Sequence, residues 1–255
     1  MQIKSKQTVW WGIAVVAFLV FVILQIPASW LISKFYKNNQ ILKNVSGNIW
    51  HGQADWKKGQ LQGSVEWRTR PLDLVLLRLG ADLKIHSGQT QMDAVVAYGL
   101  GKTVHIKNVT GQISADTLKN VINWQWPTNS IQLQDIQLNF NREKGFSKAV
   151  GGLQWGGGPL IYSFGQRQDR MEVPSLKSVI KDEGGKLILD VQDQRGQKMA
   201  NLNIDQSLML DVQLTQRLLQ SVPSYTGKAG LDTYVLSSRQ PLLGGGLDAK
   251  AESKI

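Results

Sequence analysis

The stretch LQGSVEWRTRPL, Leu61 to Leu72, alternates: Leu61, Gly63, Val65 and Trp67 fall on one side of an extended chain, and Gln62, Ser64 and Glu66 on the other. That is the period of a strand with one dry and one wet face. The same period recurs in Met92, Ala94, Val96 and Tyr98, and in Val104 and Ile106 around His105. Ile131 and Leu133 keep it, Asp135 breaks it, and Ile136, Leu138 and Phe140 resume one position later, which is the slip a β-bulge makes. Leu187, Leu189 and Val191, then Leu202 and Ile204, then Leu208, Leu210, Val212 and Leu214 continue the series. So many one-sided strands predict a large antiparallel, twisted sheet. Turn-forming clusters at Lys181 to Gly185 and Gln192 to Gly196 separate the later strands.

Helix is sparse in this pattern. Ser114 to Trp124 offers a capping residue followed by Leu118, Val121 and Ile122, and Leu214 to Val222 offers a second short piece ended by Pro223. The run PLDLVLLRLG, Pro71 to Gly80, fits a helix and a buried strand equally, because a continuous apolar run carries no period.

The opening stretch has a relative further along the chain. AVGGLQWGGGPL, Ala149 to Leu160, matches it with Gly63/Gly151, Trp67/Trp155, Pro71/Pro159 and Leu72/Leu160 identical. An internal repeat of this kind predicts two related β units, about 45–125 and 130–222, within one sheet. In each, Gly and Trp share a face, so a missing side chain makes room beside a large one, and loss of a buried Trp should cost about 3–5 kcal/mol.

Upstream of the strands the chain changes character. From Gln7 to Ser33 there is no charged residue, and Val9 to Ile26 is almost unbroken Trp, Ile, Val, Ala, Phe and Leu. Extended to Leu31, this run is long enough to cross a bilayer as a helix, with Trp10, Trp11 and Trp30 at its ends where indoles favour the headgroup layer. A cleaved signal peptide is the competing reading, but the apolar run is long and Ile26 would stand where a cut after Ala28 needs a small residue. The expected organisation is a stub at 1–8, a single transmembrane helix at 9–31, a linker at 32–44 and a β domain at 45–255. Flanking lysines, Lys4 and Lys6 against Lys34, Lys37 and Lys43, do not decide orientation. A short stub ahead of a large folded domain is the signal-anchor arrangement, which predicts a cytoplasmic amino terminus and a periplasmic domain on the inner membrane.

Composition narrows the chemistry. There is no cysteine, which excludes disulfides, thiol nucleophiles and cysteine-ligated metal. Four of the 29 Lys and Arg lie in the first 37 residues, leaving 25 against 19 acids, a modest and scattered excess that suits anionic lipid headgroups rather than nucleic acid. His51, His86 and His105 each sit among polar residues in strand phase, without a second ligand at metal spacing. Gly99 to Thr103, GLGKT, lacks the first glycine of a phosphate loop, since that position is Val96, and reads as a hairpin turn. Neither a catalytic, a cofactor-binding nor a metal residue is assigned, and an enzyme is not expected.

Two further stretches complete the picture: Pro27-Ala-Ser-Trp30 at the end of the apolar run, and VSGNIWHGQA, Val45 to Ala54. With Val45, Gly47, Trp50, Gly52 and Ala54, the latter is similar to the V-x-G-T-[LV]-W-x-G-x-A signature of the type II secretion system protein N (GspN) family, with Asn48 in place of Thr. The resemblance continues through Gly63 to Leu72, Asn108 to Ile113 and Gly151 to Trp155. It implies a non-catalytic inner-membrane accessory component of the Gram-negative machinery that exports folded periplasmic proteins across the outer membrane, with other secretion components and membrane lipid as partners and no cofactor. The alternative is an AsmA-like periplasmic lipid-binding or lipid-transfer protein whose one-sided sheet forms an apolar groove.

Overall fold

Alternation decides the architecture. The computed structural model describes residues 10–15, 17–18, 21–22, 25–35, 41–121, 129–164, 167–223 and 225–242. Among the described residues there are fifteen strands: β1 (Leu42–Gly47), β2 (His51–Lys58), β3 (Leu61–Arg70), β4 (Arg78–Ser87), β5 (Thr90–Gly99), β6 (Thr103–Ile113), β7 (Ile131–Asn141), β8 (Gly145–Trp155), β9 (Gly158–Phe164), β10 (Arg167–Val173), β11 (Leu176–Glu183), β12 (Lys186–Asp193), β13 (Lys198–Ile204), β14 (Met209–Thr215) and β15 (Tyr234–Pro241). Besides helical residues 10–15, 17–18 and 21–22, four short helices accompany them among the described residues: α1 (Ala28–Phe35), α2 (Pro71–Val75), α3 (Ala115–Val121) and α4 (Gln216–Leu219). The protein is thus mainly β, as the alternation predicts.

Thirteen strands form one antiparallel sheet whose order follows the chain, β1 to β8 and then β11 to β15; β9 and β10 leave it as a separate hairpin. At about 4.8 Å per strand the sheet is roughly 60 Å across. Its apolar face is continuous: Trp56 pairs with Gly63, Val65 with Ile85, Ile85 with Met92, Ile106 with Leu138, Leu133 with Leu153, Leu189 with Leu202, and Leu202 with Val212. The most deeply buried cluster, Leu133, Ile136, Phe146, Ala149, Ile180 and Leu187, lies on β7, β8, β11 and β12. On β3 to β6 the same face, including Val65, Leu83, Val96 and Ile106, is only partly buried.

A row of bulges crosses the centre of the sheet. Asn108, Asp135 and Lys148 adopt positive φ on adjacent strands β6, β7 and β8, and register slips on each pairing between β5 and β8. Asp135 is the position where the sequence loses its phase. Gly111 and Gly151, at φ +124° and +122°, complete the row, and a Cβ on either would meet the backbone of the neighbouring strand.

The helices take the predicted places; α4 is shorter than the predicted 214–222, and residues 122–124 of the predicted 114–124 helix lie outside the described residues. Ser114 caps α3, its Oγ accepting from Thr117 N at 3.3 Å, and Thr215 caps α4, its Oγ1 accepting from Leu218 N at 3.4 Å. Pro71 to Gly80 resolves both ways: α2 occupies Pro71–Val75, a turn follows, and β4 begins at Arg78.

The amino-terminal expectations need correction in detail. Residues 10–15, 17–18 and 21–22 are helical, but the helix does not run on to Leu31: Gln25 to Pro27 interrupt it before α1. Proline has no N–H to donate and excludes helical geometry from the residue before it, which accounts for the break. Among the described residues no helix is long and apolar enough to cross a membrane. Part of the expected 9–31 span, and the stub before it, lie outside the described residues. At the expected linker, 32–44, α1 extends to Phe35 and β1 starts at Leu42, and residues 36–40 lie outside the described residues.

Candidate functional surface

The Gly and Trp residues singled out in the first unit converge on one corner of the sheet. A tight connection joins β1 to β2, and Asn48 organises it: its Oδ1 accepts from the backbone N–H of Trp50 and of His51, both at 2.9 Å. Such an Asx arrangement uses a short amide to stand in for a backbone turn. Gly47, at φ +89°, is required beside it, since a Cβ there would run into the His51 carbonyl. Trp67 Nε1 donates to the Asn48 carbonyl at 3.2 Å, Thr69 Oγ1 donates to the Ile49 carbonyl at 2.6 Å, and Thr69 N donates to the Trp50 carbonyl at 2.6 Å.

This corner also receives the amino-terminal segment. Pro27 bridges to Asn48, and Ile49 N donates to the Ile26 carbonyl at 3.2 Å. Ala28, directly after it, is buried. Asn48, which replaces the expected Thr, together with Ile49 and Thr69, forms a junction that strand patterning alone does not reveal. The one sequence hint was an Asn placed before a glycine-flanked turn.

Glycine and tryptophan do pack together, but across the pairing rather than along one strand. Gly52 faces Trp67 and Gly63 faces Trp56, and a Cβ on either glycine would crowd the opposing indole. Ala54 pairs with Val65 and is 1% exposed. Val45 lies at the β1 register slip and is partly buried. Gly47, Trp50, Gly52 and Trp67 are therefore brought together.

The second set is placed elsewhere. β8, which carries Gly151 and Trp155, is separated from β3 by four strands. Trp155 repeats the Trp67 arrangement, with Nε1 donating to the Asn129 carbonyl at 3.1 Å. A Cβ on Gly151 would meet the backbone of Ile136, as one on Gly63 would meet the His86 carbonyl, but only Gly63 has an indole, that of Trp56, beside it as well. The prolines diverge too, since Pro71 starts α2 and leaves Leu72 exposed, whereas Pro159 and Leu160 pair with Glu172 and Met171 in the β9–β10 hairpin.

The histidines do not converge. His51 is exposed, and His105 Nδ1 lies 2.7 Å from Asn139 Oδ1 on the polar face. Among the described residues no group of three or more His, Cys, Asp or Glu could hold a metal ion. On the later strands Lys181 and Asp190 form an ion pair between β11 and β12. Partial burial is the largest influence on Asp190 and pushes its carboxyl up, but hydrogen bonds from Lys181 and Asn201 outweigh it and hold the group below the usual aspartate range. Lys181, 2.7 Å away, is raised in turn by its hydrogen bond to Asp190.

One surface remains without a partner among the described residues. At the strand ends beside the corner, α2, the turn after it and the β5–β6 turn present exposed leucines around a shallow depression lined by Leu76, Leu77, Arg78, Leu100 and His105.

Comparison with known proteins gives one match. The family model described as type II secretion system (T2SS), protein N, matches residues 39–221, from just before β1 to just after α4. No curated protein and no solved structure matches the chain.

Proposed function

The chain belongs to the type II secretion system protein N family, and from that premise we propose that it is a bitopic, non-catalytic accessory component of type II secretion, held in the inner membrane by its amino-terminal apolar segment. The observation that carries this reading is the family match, which spans the body of the sheet rather than one motif. The uncharged run from Gln7 to Ser33 supports the anchor, and the stub-then-domain order supports a periplasmic sheet. Its partners are other secretion components. β15 ends the strand order, and among the described residues no strand lies on its outer side, so it offers hydrogen-bonding groups to a partner strand.

Deletion of the gene should reduce export of type II substrates into the medium, with the substrates accumulating in the periplasm. Full secretion in the deletion strain under several growth conditions would overturn the reading. An alkaline phosphatase fusion at the carboxyl terminus should be active; an inactive fusion would reverse the orientation.

A second reading is favoured by the continuous apolar face. On β3 to β6 that face is only partly buried, which is the arrangement of a groove for acyl chains. A phospholipid carrying a photoreactive acyl chain should then crosslink to Val96 or Leu83. Crosslinks confined to the amino-terminal segment would leave the assembly role alone standing.

A further inference from the structure

Six apolar side chains stand in solvent where β3 gives way to β4 and β5 turns into β6. Leu72, Val75, Leu76 and Leu77 come from α2 and its turn, Leu79 from the start of β4, and Leu100 from the next turn; each is between 64% and 81% exposed. Exposed apolar residues occur singly on any protein, but six on and beside two adjacent connections form a patch. Leu77 also holds φ at +55°, a conformation that a branched L residue adopts at a cost, with its side chain turned to solvent.

Two observations say what covers the patch. The first is its place. Ile49 N bonds to Ile26 O, Thr69 Oγ1 bonds to Ile49 O, and Thr69 stands two residues before Pro71, so the patch shares its end of the sheet with the exit of the apolar segment. The second is its charge. Arg70 contacts Asp73 at 3.6 Å and Asp82 at 3.5 Å, and together with Arg78 and Lys102 it sets three cations against those two acids. Arg78 and Lys102, beside the leucines, take part in no ion pair among the described residues. Leucine within a cationic rim suits the headgroup layer of an anionic bilayer, whereas protein hot spots favour Trp, Tyr and Arg over Leu.

We propose that the Leu72–Leu77 segment, with Leu79 and Leu100, dips into the headgroup layer of an anionic phospholipid bilayer as a second membrane contact beside the amino-terminal segment. The inference rests on the anchored reading above and deepens it. Two contacts would fix the tilt of the sheet over the membrane, which a single tether leaves free.

The absence of cysteine makes a direct test practical. Full-length protein carrying Leu76→Cys, Gln89→Cys or Phe18→Cys is labelled with an environment-sensitive fluorophore. Each variant is reconstituted into vesicles of phosphatidylethanolamine and phosphatidylglycerol, with and without a lipid bearing a nitroxide in its upper acyl chain. Gln89 lies in the β4–β5 turn, at the opposite end of the same strands, and Phe18 lies within the apolar segment. Emission at position 76 should fall at least two-fold with the quencher while position 89 is unaffected, and omitting phosphatidylglycerol should weaken the effect. Quenching at 18 but not at 76 overturns the second contact and leaves the anchor standing. Quenching at 76 but not at 18 supports the contact and removes the anchor, and quenching at neither removes both. Crosslinking of position 76 to a protein in native membranes, with no quenching in vesicles, assigns the patch to a protein and also overturns the proposal.

Discussion

Trp67 lies across the β2–β3 pairing from Gly52, and its indole occupies the space a Cβ on Gly52 would need. The Ser46 carbonyl closes the other side of that space. Gly52→Ala should therefore destabilise the protein by about 1–3 kcal/mol through overpacking. Urea unfolding followed by circular dichroism measures it. In a Trp67→Leu background, itself less stable, Gly52→Ala should cost less than it does beside Trp67 but should still cost something, because the Ser46 carbonyl stays in place.

The indole N–H bonds of Trp67 and Trp155 are a sharper measure of the internal repeat than the shared letters. Each donates to the backbone carbonyl of an asparagine, Asn48 or Asn129. Trp67→Phe and Trp155→Phe should each cost about 1 kcal/mol from the lost bond, plus a packing loss limited by partial burial. Similar losses for the two variants in thermal unfolding are the expected result. A neutral Trp155→Phe beside a costly Trp67→Phe would show that the two positions are not equivalent.

The central bulges should tolerate almost no side chain at their glycines. Gly111 and Gly151 combine positive φ with close approach of a neighbouring backbone, so strain and overlap add. Gly111→Ala or Gly151→Ala should cost more than about 3 kcal/mol. Gly59→Ala, in the open β2–β3 turn with no atom near its Cβ, provides a milder comparison limited to its φ of +62°. Melting temperatures of the three variants rank them.

Acid should loosen the β13–β14 turn. The Ser207 hydroxyl, the Met209 N–H and, more weakly, Arg239 hold the Asp205 carboxyl below its usual range. A group depressed in the folded state contributes stability in full above its unfolded value, about 3.9, and loses it as pH falls through the folded value. Asp205→Asn should lower stability at neutral pH and flatten its fall below about pH 4. Amide exchange at Ser207 and Met209, measured at pH 7 and pH 3.5, checks both halves.

How much of this was legible in the residues depends on whether a local period carried it. Leu61 to Trp67 and Leu208 to Leu214 read directly as strands because alternation is a property of one segment. Asp135 was visible as a lost phase, whereas the matching bulge at Asn108 was not, since Val104 and Ile106 end their alternation before it. Pairing of Trp155 with Leu176, across an excursion that holds a whole hairpin, depends on contacts between distant segments that no periodicity encodes. The Gly–Trp partnership was readable, but not that it acts across strands. Pro71 to Leu77 stayed ambiguous because leucines that serve a surface resemble leucines that serve a core.

Apart from one excursion, every strand is zipped to the strand made just before it. A chain wired in this way needs few distant encounters, so strand addition can keep pace with emergence from the synthetic or export machinery. Only β11 must wait for an earlier edge, because β8 stays open until the twenty residues from Gly156 to Ser175 have passed. That pause leaves Gly152 to Trp155 as an unsatisfied template for roughly a second or more at ribosomal speed. It is the step at which a neighbouring copy could be captured by mistake.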